Sequence, residues 1–314
     1  MSEAVGKILG VGRALGSRVV TNKDLEKTLE TDDAWVIERT GIKERRFVAE
    51  GEDCATLATD ASKAALAHAG VEGEEIDLIL CATSTAPESM PSVACLVGEA
   101  IGAPGVGAFD VAAACAGYSY AANVASSMLK GGAARRMLLI GADAMTKIVD
   151  QNDRSTAVLF ADGAGAVVLE KGDGESGFVD HILGADGRMA SLLRAGHPGA
   201  EEKLYQNGRE VFKFAVRIFP EMVEKLLARN DVNPDEVQYV IPHQANARII
   251  QAAVRKMRIP EERVVVNMDR YGNTSAASIP ISYPDIYEDF EPGRYVITVG
   301  FGSGLTWAAN LYRI

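Results

Sequence analysis

Three pairs of landmarks in this chain stand at one fixed spacing. Ile101 and Ile259, Cys115 and Asn273, and Arg136 and Arg294 each lie 158 positions apart. A longer stretch is matched as well: AGVEGEEIDLIL, ending at Leu80, resembles RNDVNPDEVQYVI, ending at Ile241. Val71 then corresponds to Val232, and Ile76 to Val237. Any two βα units share some likeness, but a constant offset over separate landmarks reads as an internal duplication with two copies packed about a pseudo-twofold axis. A site at their interface would draw residues from equivalent loops of both copies. The seam is expected in the polar, Gly-rich run Lys171 to Gly177, dividing the chain into 1–172 and 173–314.

Inside each half, short apolar runs alternate with helical patterns. Ile76–Cys81, Met137–Ile140 and Ala166–Leu169 read as buried strands, with Val237–Ile241, Val264–Val266 and Tyr295–Val299 as their counterparts. Ala55–Ala69 reads as a helix. Alternation of this kind implies an α/β fold with helices packed on sheets. At 314 residues the chain suits two domains sharing one core, and buries enough surface to need no metal or disulfide for stability.

Charge and cysteine usage exclude several functions. A net charge of -11 argues against nucleic acid, whose phosphates demand a basic footprint. The N-terminal residues lack the pattern of a secretory signal, and no apolar run approaches the roughly 18 residues of a membrane span. Cys54, Cys81, Cys95 and Cys115 form no C-x-x-C pair, which argues against zinc and for a reducing, cytoplasmic compartment. GVGRALG after the first strand has the wrong spacing for a dinucleotide loop.

Three segments carry chemistry. In DVAAACAGYSYAANVASSMLKGG a strand ends near Val111 and a helix is expected from about Cys115 to Lys130. A thiol at a helix N-terminus is biased towards thiolate, the form that attacks thioesters. On position alone, a nucleophile and a small buried apolar residue both remain open; Cys54, Cys81 and Cys95 read as the latter. In VIPHQANARIIQAAVRK, His243 stands at the carboxyl end of a strand, where open α/β sheets place their chemistry. His68, His181 and His197 read as structural or solvated. In MDRYGNTSAAS, Asn273 sits in a turn after a strand, and alone it could be an ordinary cap.

Together DVAAACAG, PHQAN, GNTSAAS and the C-terminal GFGSGLTW occur intact and in order, and the whole chain resembles the β-ketoacyl-acyl-carrier-protein synthase III family. The resemblance implies a thiolase-like fold, two duplicated βαβαβαββ halves in a five-layer α-β-α-β-α sandwich, usually a homodimer. It implies that Cys115 takes an acyl group from acyl-CoA, and that malonyl-acyl-carrier-protein then loses carbon dioxide and condenses with it. His243 and Asn273 would hold the enolate oxygen, a donor of this kind being worth about 3 kcal/mol. The backbone N–H groups of Cys115 and Ser303 would form a second oxyanion hole.

The same resemblance implies a CoA site of Trp35, Arg39 and Arg154, with Gly208 and Asn246 lining the pantetheine tunnel; Gln206 departs from the apolar residue often found there. It places Met90 and Met145 at the acyl pocket, Met90 reaching across the dimer. Lys213, Gln244, Arg248, Arg255 and Lys256, with Arg258 nearby, would meet the acidic carrier protein, although by charge alone the helical part of this cluster also reads as a solvated face. No cofactor or metal is expected, the CoA thioester being a substrate. The alternatives are a specialised ketosynthase making a secondary metabolite and a non-enzymatic carrier-protein-binding relative.

Overall fold

The computed structural model describes residues 3–314. Strands β1 (Lys7–Leu15), β2 (Leu78–Ala82), β3 (Gly107–Val111), β4 (Arg136–Ala144) and β5 (Asp162–Glu170) form one sheet in the order β1-β5-β4-β2-β3. Strands β6 (Gly177–Ala185), β7 (Val237–Pro242), β8 (Tyr295–Gly302) and β9 (Thr306–Arg313) form a second in the order β7-β8-β9-β6. In the first sheet β2 runs parallel to β3 and β4, while β5 runs antiparallel to β4 and β1. In the second, β7 runs parallel to β8, while β9 runs antiparallel to β8 and β6. The path β2-β4-β5-β1 thus recurs as β7-β8-β9-β6. The inner strands β2, β5 and β8 are almost wholly buried, as expected when both faces of a sheet are covered.

Val264–Val266, expected as the counterpart of β3, is not a strand. Only Val264 bridges to Val240. A side chain takes over the ladder there: the Gln244 amide donates to the Val265 carbonyl at 3.0 Å and accepts from the Asn267 N–H at 3.2 Å.

Among the described residues six helices have eight residues or more: α1 (Asp33–Thr40), α2 (Cys54–Ala69), α3 (Val93–Ala100), α4 (Gly117–Lys130), α5 (Gly208–Asn230) and α6 (Ala247–Val254). Helix α2 covers β1, β4 and β5, with α3 beside it over β2 and β3. Helix α5 covers β8, β9 and β6, with α6 packed on it. Helix α4 lies between the sheets, touching β2 and β4 on one side and β8 and β9 on the other. It fits there because Gly117, Ala121, Ala122 and Ala125 are small and buried. Beside it, the 3-10 turns Ser275–Ala277 and Pro280–Asp285 pack on the first sheet. The result is the thiolase-like α-β-α-β-α sandwich.

The glycines of GVGRALG have a packing role. A Cβ at Gly10 would lie 2.5 Å from the Ala69 nitrogen, and one at Gly12 2.3 Å from the Ala65 nitrogen. Without side chains at these positions, α2 can lie directly on β1.

Candidate active site

Cys115 sits between β3 and α4, in the 3-10 turn Ala114–Ala116, where Ala114 is held at φ 48°. The second half of the molecule presses on this turn. A Cβ at Gly302 would lie 2.6 Å from the Cys115 nitrogen, and one at Gly300 2.9 Å from the Ala116 Cα. Only glycine lets the end of β8 come so close, and this contact sets Ser303 on the same cavity wall as Cys115. The Ser303 hydroxyl donates to the Leu193 carbonyl, leaving its backbone as the part available to a substrate.

Burial opposes the expected thiolate bias. Helix α4 begins at Gly117, two residues after the cysteine, and burial pushes the Cys115 thiol up to about 12, with the Ser275 hydroxyl acting the other way and the Asp143 charge adding to the rise. A helix end worth about 1 kcal/mol changes an ionisation by less than tenfold, a smaller effect than the burial of the thiol.

His243 follows β7, its N–H donating to the Val299 carbonyl at 2.7 Å. The ring is buried and packs edge-on to Phe301, with centroids 5.3 Å apart. Burial lowers its pKa to about 3, so the imidazole is neutral at physiological pH. Nδ1 lies 2.7 Å from the Ser278 hydroxyl, which itself accepts the Gln244 N–H at 3.3 Å. The Ser278 proton is therefore best satisfied by donation to Nδ1, leaving Nε2 as an N–H donor.

Asn273 is fixed by its backbone and its amide oxygen. Its N–H donates to the Leu159 carbonyl, and its carbonyl accepts from Ala161, both at 2.9 Å. Oδ1 accepts the Ser275 N–H at 2.9 Å, which leaves Nδ2 to face a ligand. Cys115, His243 and Asn273 line one cavity of about 180 Å³. A thiol beside two neutral N–H donors is suited to acyl transfer followed by stabilisation of an enolate.

Comparison with known proteins agrees with this chemistry. Residues 109–187 match the family described as 3-oxoacyl-[acyl-carrier-protein (ACP)] synthase III, and residues 227–314 match its C-terminal region. A β-ketoacyl-[acyl-carrier-protein] synthase III of Rubrobacter xylanophilus is 71% identical over 315 residues, covering all of both chains. The chain belongs to the β-ketoacyl-acyl-carrier-protein synthase III family. The Aquifex aeolicus 3-oxoacyl-[acyl-carrier-protein] synthase III structure superposes with a TM-score of 0.94 at 45% identity, covering 98% of this chain and all of that one. The priming β-ketosynthase of the R1128 polyketide pathway superposes with a TM-score of 0.93 at 30% identity, covering 99% and 97%. As a synthase III, the protein is an acyl-transferring, condensing enzyme of fatty-acid initiation.

In this synthase III the catalytic cavity reaches the surface past Gly208 and Asn246, which also line an outer basin with Arg39, Arg209, Lys213 and Arg248. Gln206 lines the inner cavity beside Gly208. The Asn246 side chain caps α6 through the Arg248 N–H and donates to the Arg39 carbonyl at 3.0 Å, tying α6 to α1. Arg154 stacks over Trp35 at 4.8 Å and Arg39 lies over it at 5.9 Å. On the other side of Cys115 a cavity of about 200 Å³ is lined by Met145, Ile148, Phe160, Leu204, Ser275 and Ser303.

Two expected contacts fall elsewhere. Met90 is 79% exposed and does not line either cavity within its own chain. Gln244 is only 1% exposed, its amide spent on Pro242, Val265 and Asn267, so it braces the His243 loop from inside. The remaining basic residues divide. Lys213 pairs with Glu210, Arg258 pairs with Glu224 and Lys256 donates to the Val216 carbonyl. Among the described residues Arg248 and Arg255 are in no ion pair.

The sequence reading missed Ser278, Phe301 and Arg209. The first two lie within GNTSAAS and GFGSGLTW, but which hydroxyl or ring meets His243 depends on how the loops pack. Among the described residues no group of three or more His, Cys, Asp or Glu side chains is placed to hold a metal, and no helix is long and apolar enough to cross a membrane.

Proposed function

We propose that this enzyme condenses a CoA-bound acyl primer with a malonyl group carried on acyl carrier protein, through an acyl-Cys115 intermediate. The observation that carries this is the single cavity holding Cys115, His243 and Asn273, open to a basic mouth. Trp35, Arg39 and Arg154 bind the nucleotide end of CoA, the flat guanidinium groups suiting both adenine and phosphate. Gly208 and Asn246 line the pantetheine path, and Met145 lines the acyl pocket. The N–H groups of Cys115 and Ser303 hold the oxyanion of acyl transfer. His243 Nε2 and Asn273 Nδ2 hold the enolate formed when carbon dioxide leaves, and no proton moves to either. The halves 1–172 and 173–314 are duplicated units, the first bringing the nucleophile and the second the donors. The chemistry requires no metal or cofactor.

The carrier protein docks at the mouth, where Lys213, Arg248, Arg255 and Lys256 offer positive charge to an acidic partner. The working form is a cytoplasmic homodimer. Support comes from β3, which ends its sheet, and from the exposed apolar side chains Met90, Leu96 and Phe109 near that edge. Met90 then closes the acyl pocket of the partner subunit. Intact-mass spectrometry after acetyl-, isobutyryl- or isovaleryl-CoA should show one acyl adduct, absent in Cys115→Ala. An adduct on another cysteine would overturn the assignment.

A further inference from the structure

We propose that the Gln206 side-chain amide hydrogen-bonds an amide group in the arm of each thioester substrate, so that the enzyme selects thioesters of amide-bearing thiols. The proposal rests on the reading above, in which the thioesters of CoA and of acyl carrier protein both reach Cys115 by way of a pantetheine arm. Two secondary amides are spaced along that arm.

The walls of the catalytic cavity single out Gln206. They are mainly apolar, Leu159, Phe214 and Ile249 among them. Most of the polar side chains in them are committed. The Ser155 hydroxyl donates to Asp153 Oδ1 at 2.7 Å, and the Asn246 amide is held by the Arg39 carbonyl and the Arg248 N–H. Cys115, His243 and Asn273 are taken up by the reacting groups. Gln206 lines the same cavity and is half-buried, yet among the described residues its amide has no hydrogen-bond partner.

Its place suits the arm. Tyr205–Gln206 pairs antiparallel with Leu193–Arg194, Gln206 standing opposite Leu193. The next residue, Asn207, donates its N–H to the Leu192 carbonyl at 2.7 Å, and its side chain caps α5 by accepting the Glu210 N–H at 3.3 Å. The backbone carrying the amide is thus fixed before a ligand arrives, which lowers the ordering cost of binding. Gly208 lines both the inner cavity and the outer basin, whereas Gln206 lines only the inner one. A Cβ at Gly208 would meet nothing nearer than Gln206 Nε2 at 4.0 Å. The amide therefore stands beside an open passage just inside the mouth, and a substrate anchored at the basin must pass it to reach Cys115.

A carboxamide offers both N–H donors and a carbonyl acceptor, and a secondary amide of the arm offers the complement. A ligand that fills the cavity strips water from Gln206, and an apolar arm would leave its amide unpaired at a cost. Discrimination comes from that loss, suffered by the wrong thioester. Both partners are neutral, so salt does not screen the contact as it screens charges at the mouth.

The test is acylation of Cys115 in the full-length enzyme by acetyl-pantetheine and by two analogues, each with one of its amides replaced by a pair of methylene groups. In the wild type one analogue should react about tenfold less efficiently than acetyl-pantetheine, the size expected for one unpaired amide. In Gln206→Leu and Gln206→Met the same analogue should come within twofold of acetyl-pantetheine, at low and high salt alike. Each ratio is taken within one protein, so any loss of folded enzyme cancels. No discrimination by the wild type, or a tenfold discrimination that survives in Gln206→Leu, overturns the proposal. So does a defect of Gln206→Leu confined to decarboxylation of malonyl-acyl-carrier-protein, which would place the amide at the malonyl carboxylate. A wild type never acylated by acetyl-CoA overturns the underlying reading instead.

Discussion

His243 shows how far burial alone can set a residue's chemistry. Its pKa falls to about 3 from desolvation, with no charged partner as the cause. In the unfolded chain it would titrate near 6.5, so the unfolded state binds the extra proton first as pH falls. Stability from this residue is therefore complete above about 6.5 and lost as pH drops towards 3. Between pH 7 and pH 5 its contribution should fall by about 2 kcal/mol. Urea denaturation at both pH values, comparing wild type with His243→Gln, measures the difference, and equal pH slopes would contradict it. The neutral ring also predicts that decarboxylation shows no rate break attributable to His243 between pH 6 and 8. The three side chains proposed to react were marked in the sequence because each lies in a contiguous motif. Its protonation states were not, because desolvation depends on residues far away along the chain.

At the scale of elements, the site depends on β8 meeting the turn before α4. Gly302→Ala would thrust a Cβ to 2.6 Å from the Cys115 nitrogen. Relief requires moving the Cys115 turn away from Ser303 and so distorting the proposed oxyanion hole. Acylation, read as a pre-steady-state burst, should fall by more than tenfold, since one such donor is worth about 3 kcal/mol. The melting temperature should drop only modestly, overpacking costing about 1–3 kcal/mol. A wild-type burst would mean the contact is slack. The period and composition of Ala55–Ala69 were enough to place α2. They were not enough for Val264–Val266, where three β-branched residues promised a strand and the Gln244 amide took the ladder positions instead.

For the whole molecule, the uneven pairing of the basic mouth makes a graded prediction. Among the described residues Arg248 is in no ion pair, whereas Lys213 and Arg258 already face glutamates. Arg248→Glu should raise KM for malonyl-acyl-carrier-protein by about tenfold at low salt, with the defect shrinking as salt is added. Lys213→Glu should do less. Acylation by acetyl-CoA should change by less than threefold in either variant. Equal, salt-independent loss in both half-reactions would make Arg248 structural. Met90, exposed in one chain, gives the proposed dimer its own test. Met90→Ala should extend the accepted acyl chain length and Met90→Phe should narrow it towards acetyl-CoA. An unchanged chain-length profile would remove Met90 from the pocket.

By itself the sequence determined the layered α/β class and the family, and it singled out the proposed repeat and the three side chains proposed to react, because strand period, a constant offset and contiguous loop motifs are all local along the chain. Tertiary structure decided the rest. Whether Cys115 is thiol or thiolate is set by how closely β8 and the Ser275 turn pack on it. That Gln244 braces a loop rather than meeting a partner follows from a carbonyl 21 positions away. Each depends on residues that only the packing of the two halves brings together, and desolvation and hydrogen-bond satisfaction are properties of that packing.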